Sequence, residues 1–185
     1  YYYDYNDYQA FDQRGINFTL FNTDATISGW DSELSLQPAE HTTLMFGAAY
    51  LDTDVENVLI GTDPFNPISV DREAPQSPSF TLSTAIVQDF ELGDGLLSLQ
   101  FSSYYNSGYF SQLTNAPSTD IPSYIIYNGR ISYTDAQEKY QISLFAKNLF
   151  DKEYITYAFD IASNGFTEQT LGTPRWIGIE GRYNF

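Results

Sequence analysis

Hydrophobic and polar positions alternate along most of the chain. In the last segment, one parity holds Ile177, Ile179, Tyr183 and Phe185, whereas the other holds Glu180 and Arg182. An alternation with period two is the mark of a strand with one apolar and one polar face. The pattern recurs in seven further segments, which are roughly 1–10, 23–37, 43–50, 80–86, 97–105, 125–133 and 140–147. The sequence therefore predicts an all-β protein with about eight antiparallel strands and no helix.

Short and long connections alternate between these segments. Short turns are predicted at 38–41, 93–95 and 135–138, and long polar loops at roughly 12–22, 52–77, 107–121 and 152–172. Outer-membrane β-barrels have this arrangement, with short periplasmic turns and long extracellular loops. In hydrocarbon every backbone N–H and C=O must pair within the protein, which favours closed sheets. The pattern predicts a segment of an antiparallel transmembrane β-barrel.

The charged residues test which face of the strands would meet lipid. A lipid-facing Arg or Lys at the middle of a bilayer costs about 2–4 kcal/mol. The charged residues well inside the later strands all occupy polar positions of the alternation, so we expect them to face the lumen. They are Arg130, Lys147, Glu180 and Arg182. Four tyrosines occupy apolar positions of the alternation, where they would form the aromatic girdles at the two membrane interfaces. They are Tyr127, Tyr133, Tyr140 and Tyr183.

Composition excludes several function classes. The 185 residues include 8 Lys and Arg against 24 Asp and Glu, for a net charge of −16 and no cysteine. Nucleic acid is not expected as a partner because phosphate binding needs basic side chains. Without cysteine there is no disulfide, thiolate metal site or cysteine nucleophile. The single histidine, His41, is predicted on a short turn with no Ser–Asp context. We therefore predict no enzyme, no cofactor and no metal.

Two further features concern the loops and the start of the chain. The acidic residues Asp52, Asp54, Glu56 and Asp63 match no calcium-loop spacing, so a solvated loop is the favoured interpretation over a Ca²⁺ site. The chain opens on Tyr1 without a basic segment or an apolar core. We expect that a leader was removed or that the chain is a piece of something longer.

The end of the chain carries a set of motifs in a fixed order. Residues 145–154 read FAKNLFDKEY, 172–175 read GTPR, and 176–185 form an alternating segment that ends on Phe185. This combination resembles the C-terminus of TonB-dependent outer-membrane receptors. Looser upstream matches lie at 25–34, 48–52 and 74–78, although Trp30-Asp31 departs from the usual aliphatic–Glu pair.

The resemblance implies a fold and a function. Such receptors have a 22-stranded barrel with a plugged lumen; residues 1–185 would be the C-terminal portion of that barrel, with the plug domain absent. The expected function is energy-coupled uptake of a scarce nutrient, most often a ferric siderophore, across the outer membrane of a Gram-negative bacterium. The expected partners are outer-membrane lipid and a TonB-type energy-coupling protein, which would be reached through the missing N-terminal region.

The resemblance also assigns roles to particular residues. The terminal segment is similar to the signal read by the barrel assembly machine, although Gly181 sits where a hydrophobic residue is more usual; the signal residues would be Ile177, Ile179, Tyr183 and Phe185. The family motif is expected to be a structural corner, since Asn and Asp side chains cap turns. Its residues here are Asn148, Leu149, Phe150, Asp151, Tyr154, Pro174 and Arg175.

Ligand contacts are expected in the long loops, which would line the vestibule. Aromatic side chains give a large contact area with few rotatable bonds. The candidates are Tyr109, Phe110, Phe159 and Phe166. Few loop residues are Lys or Arg, which argues against a strongly anionic ligand.

Two other classes of protein stay open at the level of sequence. A complete eight-stranded barrel, acting as an adhesin, anchor or small pore, would fit the strand count, and pairing of 1–10 with 176–185 would favour it. Its interior would be thinly packed, because many inward positions are small; they are Gly47, Ala49, Ser98, Ser102 and Gly178. A soluble β carbohydrate-binding module is the second alternative, suggested by the aromatic content.

Overall fold

The computed structural model describes residues 1–14, 17–60, 68–161 and 164–185. Most of these residues form β-strands. A 3₁₀ turn, Pro117–Thr119, lies between two of the strands. No helix in the described ranges is long and apolar enough to cross a membrane. The strands are β1 (Tyr2–Arg14), β2 (Asn17–Ala39), β3 (Thr42–Leu59), β4 (Ser69–Arg72), β5 (Phe80–Leu92), β6 (Gly95–Phe110), β7 (Asp120–Thr134), β8 (Tyr140–Lys147), β9 (Ile155–Ile161), β10 (Phe166–Leu171) and β11 (Trp176–Tyr183).

Eight of these strands follow one another in a single antiparallel sheet. Its order is β1-β2-β3-β5-β6-β7-β8-β11, with β4 paired to the outer part of β3, and β9 and β10 form a separate two-stranded sheet. Within the described ranges β1 pairs only with β2, and β11 only with β8, so the sheet is open. The predicted all-β fold with eight principal antiparallel strands is confirmed.

The pairing register keeps apolar positions of β2, β3, β5, β6, β7, β8 and β11 on one side of the sheet. Ile179 lies opposite Leu144, Leu144 opposite Ile131, and Ile131 opposite Leu99. We call this side the apolar face and the opposite side, which carries Arg130 and Glu180, the polar face. Neighbouring strands must share these faces, because a register slip of one residue would turn every side chain over.

None of the described residues forms a second layer on the apolar face. Ile179 is 76% exposed, Ile177 61% and Leu144 52%. In a sheet packed against another layer these side chains would be buried. The sheet therefore presents a large hydrophobic surface to its surroundings.

The predicted short turns are confirmed at one end of the sheet. β2 and β3 are joined by residues 40 and 41, β5 and β6 by 93 and 94, and β7 and β8 by 135–139. Gly93 adopts a φ of 62°, a left-handed conformation that glycine reaches without a Cβ clash. His41 lies on the first turn, as predicted, and its carbonyl accepts a hydrogen bond from the Asp89 N–H at 2.9 Å.

The long connections at the other end contain more strand than predicted. Residues 12–22, which were expected to be a loop, continue β1 and begin β2, with 15 and 16 outside the described residues. The segment 52–77 begins as β3 and includes β4, and 152–172 contains the β9–β10 hairpin. The loop prediction is wrong in these parts because backbone pairing continues where the apolar alternation fades.

The buried core lies at this same end, on the side of the polar face. It joins strands β1 to β3 with two connecting segments, and its members are Ala10, Ala25, Val55, Val58, Ala74 and Leu113. The prediction that 52–77 is a polar loop is therefore wrong at Val58, which is fully buried. Sequence pattern misses this core because its members are scattered over several segments.

The connection between β6 and β7, residues 111–119, holds this end of the molecule together; we call it the β6–β7 loop. Leu113 projects from it into the core and is 3% exposed. Asn115 accepts a hydrogen bond from the Glu73 N–H at 2.8 Å and donates one to the Glu73 carbonyl at 3.1 Å. Ser118 donates to Asp160 of the β9–β10 hairpin at 2.6 Å. One loop thus ties the β3–β5 connection to the hairpin.

Replacing Leu113 by Ala should loosen the β6–β7 loop. Leu→Ala changes in a core cost about 2–5 kcal/mol because a cavity remains. We expect hydrogen exchange at 111–119 to accelerate while the strands of the main sheet keep their protection. Leu59→Ala is the matched control because Leu59 is 49% exposed. Equal effects of the two substitutions would contradict the assigned role of Leu113.

Candidate functional site

The polar face of β7, β8 and β11 carries a hydrogen-bonded cluster around Arg130. The Arg130 guanidinium donates to Ser143 at 2.8 Å, to Ser132 at 3.1 Å and to Glu180 at 3.1 Å. Ser132 and Ser143 are also within hydrogen-bond distance of each other, at 2.9 Å. Because the side chains of Arg130 and Glu180 remain about a third to a half exposed, their ion pair contributes at most about 1 kcal/mol to the free energy of unfolding.

Beside this cluster the polar face forms an open cavity of about 580 Å³. Lys147 lies over the Trp176 ring, with its ammonium 5.4 Å from the ring centroid. Arg182 is on the same face, opposite Gln141. All four charges expected in the lumen therefore share the polar face, and their lumenal role stays a prediction. Polar side chains complete the cavity wall, namely Gln100, Ser102 and Asn128.

Tyrosines form a continuous row on the polar face of β1, and sequence reasoning missed it. The ring centroids of Tyr1 and Tyr3 are 5.8 Å apart, those of Tyr3 and Tyr5 6.0 Å, and those of Tyr5 and Tyr8 6.1 Å. We call Tyr1, Tyr3, Tyr5 and Tyr8 the tyrosine row. The spacing of the first three rings is visible in the sequence, whereas the position of Tyr8 depends on a bulge.

That bulge lies between Tyr5 and Tyr8, where the pairing with β2 shifts register. Asp7 adopts a φ of 60° there, and its N–H donates to the Asp24 carboxylate at 3.2 Å. An extra residue in one strand reverses the parity beyond it. Tyr8 consequently shares a face with Tyr5 and packs against the buried core.

The four predicted ligand-contact residues lie on two separate elements. Tyr109 and Phe110 end β6, whereas Phe159 and Phe166 lie on the β9–β10 hairpin. The register places Phe166 opposite Ile161, so Phe159 and Phe166 share one face of that hairpin. Their contact with a ligand stays a prediction.

Tyr109 already has a structural partner. Its hydroxyl donates to the Thr156 carbonyl at 2.6 Å, which fixes β9 against β6. Burial raises the pKa of Tyr109, and the neighbouring Tyr104 raises it further. The hydroxyl therefore stays protonated and continues to donate at physiological pH.

A second aromatic group surrounds Tyr124 at the start of β7. The Tyr124 ring lies 4.7 Å from that of Tyr154 and 6.4 Å from that of Tyr104. Burial raises the pKa of Tyr124 to about 12, with smaller effects of Tyr109, Tyr104 and Tyr154. The Tyr124 phenol therefore stays neutral at physiological pH.

Asn148 of the family motif is buried at the end of β8. Its side chain donates to the Lys152 carbonyl at 2.8 Å and to the Thr173 carbonyl at 3.0 Å, and accepts from the Lys152 N–H at 2.8 Å. Asn148 itself has a φ of 48°, a conformation that asparagine tolerates better than most residues. The geometry supports the predicted structural corner.

The rest of the motif surrounds this corner. Asp151 accepts from the Arg175 N–H at 2.8 Å, and the Leu149 N–H donates to the Tyr127 carbonyl at 2.8 Å. Phe150 meets the Tyr127 ring edge-on at 5.3 Å. The remaining members are Tyr154, whose ring covers Gly172, and Pro174, in the segment between β10 and β11.

The predicted assembly signal lies on β11, an edge strand paired on one side with β8. Ile177, Ile179 and Tyr183 take the parity of the apolar face. The Phe185 ring stands edge-on to Tyr183 at 4.9 Å. An edge strand with unpaired backbone groups can add to a partner strand, but recognition by an assembly machine stays a prediction.

The acidic residues of 52–77 are spread along β3 and beyond. Asp52, Asp54 and Glu56 belong to β3, and Asp63 lies outside the described residues. Burial raises the pKa of Asp54, and the carboxylates of Asp71 and Asp52 raise it further. In the described part of the chain no three Asp, Glu or His side chains converge as a metal site.

Known structures show the same fold. The ferric yersiniabactin uptake receptor FyuA from Yersinia pestis matches 100% of this chain and 26% of its own, with a TM-score of 0.78 at 19% identity. The siderophore receptor PiuA from Acinetobacter baumannii matches 96% of this chain and 24% of its own, with a TM-score of 0.69 at 16% identity. BauA, the ferric preacinetobactin receptor of the same organism, matches 100% of this chain and 26% of its own, with a TM-score of 0.67 at 19% identity.

A family model settles the relationship. The model described as TonB dependent receptor-like, beta-barrel, matches residues 1–149, which include the tyrosine row, the core and most of the Arg130 cluster. The chain spans about a quarter of the length of the receptors whose structures it resembles. The chain belongs to the TonB-dependent receptor β-barrel family.

Proposed function

We propose that residues 1–185 form the C-terminal portion of the barrel of an energy-coupled outer-membrane receptor that takes up a ferric siderophore. The observation that carries the proposal is an eight-stranded open sheet with an uncovered apolar face. The similarity in fold to siderophore receptors supports the choice of nutrient. The location is the outer membrane of a Gram-negative bacterium, where barrels of this family work.

We expect lipid to cover the apolar face. A contiguous hydrophobic surface of this extent is not stable in water, and acyl chains would cover it without any polar contact. Aromatic side chains bound the face at both ends, as girdles do at membrane interfaces. The girdle residues are Trp30, Tyr50, Phe80, Tyr105 and Tyr127 at the long-connection end, and Tyr133, Tyr140, Tyr183 and Phe185 at the turn end.

The open edges favour a larger barrel over the alternatives. A complete eight-stranded barrel requires β1 to pair with β11, whereas each has one partner strand in the described ranges. An open edge leaves backbone groups unpaired in hydrocarbon, at a cost of several kcal/mol per group. A soluble carbohydrate-binding module would expose the apolar face to water. Further strands of the intact receptor would complete the wall, and a separate plug domain would fill its lumen.

The intact receptor would work with three further partners. The ligand would bind above the membrane, among the β6–β7 loop, the β9–β10 hairpin and the tyrosine row. A TonB-type protein would contact the N-terminal region and supply energy from the inner membrane. The barrel assembly machine would act on β11 during insertion.

The lipid-facing role predicts that charge is tolerated on one face only. Leu144→Arg, on the apolar face of β8, should destabilise the intact receptor by about 2–4 kcal/mol. Ser83→Arg, on the polar face of β5, is the control and should have a much smaller effect. Urea unfolding in lipid vesicles measures the difference. Comparable losses for the two variants would contradict the lipid assignment.

The assembly signal predicts that the last side chain matters for insertion. Deleting Phe185 from the intact receptor should lower its level in the outer membrane several-fold, because β11 loses its terminal aromatic contact. Phe150→Ala is the control, since it removes another exposed ring at the opposite end of the sheet. Quantitative blotting of membrane fractions reports the outcome, and an unchanged level would refute the signal.

Uptake itself tests the proposed function. Cells that lack the intact receptor should lose proton-motive-force-dependent accumulation of a radioactive ferric siderophore under iron limitation, and a plasmid copy should restore it. Collapse of the proton gradient should abolish uptake in the complemented cells. Uptake that is independent of the receptor for every ferric chelate tried would overturn the proposal.

A further inference from the structure

We propose that the apolar face holds one acyl chain of an outer-leaflet lipid in a recess at Gly129, as a bound ligand distinct from the exchanging lipids around it. The inference rests on the proposed outer-membrane location and goes beyond it, because it assigns a particular lipid site. It is carried by the shape of the apolar face and by the chemistry of the side chains around Gly129.

One row of the apolar face contains two neighbouring small residues. Seven strands contribute one residue each to this row, and the register pairs Gly129 of β7 with Ala146 of β8. The other members of the row are all large, namely Leu36, Leu44, Ile86, Phe101 and Ile177. The two small residues therefore form the floor of a recess that lies between Phe101 and Ile177. We call this space the Gly129 recess.

The Gly129 recess has the size of a ligand site and firm walls. Its volume is about 520 Å³, and small-molecule sites measure roughly 300–1,000 Å³. Ile131 and Leu144 border it towards the short-turn end. The next row towards the long-connection end holds Tyr127, whose ring stacks on that of Phe101 at 5.7 Å and meets Phe150 edge-on at 5.3 Å. Rings that pack on one another keep the rim of the recess in place.

Packing within the sheet does not require a glycine at position 129. Within 4 Å a Cβ there would meet only the Gln100 carbonyl oxygen, at 4.0 Å, which is ordinary van der Waals contact. A Cβ at Gly178, on the polar face, would instead overlap the Phe145 ring. Glycine inside a strand weakens the strand and often marks a position that a ligand approaches closely. The open space above Gly129 is therefore room for a molecule outside the chain.

The chemistry of the Gly129 recess suits hydrocarbon. Its floor and side walls carry neither charges nor hydrogen-bonding side chains. Three polar residues border it, but Gln88 already bonds to the Thr42 hydroxyl and the His41 carbonyl. The other two, Gln100 and Arg130, face each other across β6 and β7 at polar-face positions. A polar ligand would leave its own hydrogen-bonding groups unpaired in the recess, whereas an acyl chain has none.

The position of the recess along the strands identifies the leaflet. It lies one row below the girdle residue Tyr127, at the end of the sheet that carries the long connections. Long connections are extracellular in outer-membrane barrels. The recess therefore opens into the hydrocarbon of the outer leaflet, and a lipid of that leaflet is the occupant.

Close packing would retain the chain. Lipid tails are as apolar as the recess, so entry from the bilayer gains no hydrophobic free energy. Atoms that line an unfilled recess lose dispersion contacts, and a chain seated on Gly129 and Ala146 restores them. Cross-strand side-chain pairs stabilise a sheet, but a Gly–Ala pair offers little contact. The bound chain would therefore brace β7, β8 and β11, which also carry the Arg130 cluster.

Lipid retained by the purified intact receptor tests the inference. After extraction from outer membranes and washing in mild detergent, the wild type should keep a lipid that native mass spectrometry detects on the protein. Gly129→Leu and Ala146→Leu each place a side chain in the recess and should lower the retained fraction several-fold. Gly181→Leu is the matched control, because Gly181 lies on the apolar face of β11, outside the recess, and a Cβ there meets nothing within 4 Å. It should retain lipid like the wild type.

A second measurement uses the wild type alone, so it stands if the variants fail to fold. The intact receptor is reconstituted in phosphatidylethanolamine vesicles that contain a trace of the same lipid with a photoreactive group in its acyl chain. After irradiation and digestion, mass spectrometry maps the labelled residues. Labelling should concentrate at 129–131 and 144–146, and exceed several-fold that of Leu36 and Leu44, which lie on the same row outside the recess.

The outcomes separate the inference from the proposed function. The bound chain is refuted if the wild type retains no lipid or detergent only, or if Gly129→Leu and Ala146→Leu retain as much lipid as Gly181→Leu. Labelling spread evenly over the apolar face would refute it too, while the lipid-facing role of that face stands. If no residue of the apolar face is labelled, the proposed membrane location fails and the inference falls with it.

Discussion

Alignment of apolar positions on one face of neighbouring strands, from β2 to β11, is the constraint on which the rest of the structure depends. Backbone pairing alone would hold the strands in many registers. Only one of them puts Leu144 between Ile131 and Ile179 and gathers Arg130, Ser132 and Ser143 on the other side. A shift by one residue would bring charges onto the apolar face, which membrane insertion forbids. The same register therefore supports the fold, the proposed membrane location and the polar wall.

Aromatic rings on the polar face also serve the sheet. The Phe145 ring covers Gly178 on the neighbouring strand, and the Tyr1 ring covers Gly29. Glycine weakens a strand because it has no side chain to pack, and a ring from the adjacent strand fills the gap. Rings that stabilise glycines are held in fixed positions, which is what a binding surface needs.

Stability and proposed function meet at the long-connection end. The buried core and the β6–β7 loop hold the extended parts of β1–β4 and the β9–β10 hairpin as one unit. Loops held in this way keep their polar and aromatic groups in place before a ligand arrives, which lowers the ordering cost of binding. The proposed vestibule wall is thus built like a small folded domain at one end of the open sheet.

Sequence alone determined the eight strands, the face of each later strand, the turn at His41 and the motif from Asn148 to Arg175. These follow from local alternation and local spacing, which a sheet with one apolar and one polar face enforces. Tertiary structure alone decided the extended hairpin of β1 and β2, the strands β4, β9 and β10, the burial of Val58 and Leu113, and the place of Tyr8. In those parts no single environment imposes a period on the chain, and one bulge or one packed loop determines where a side chain lies.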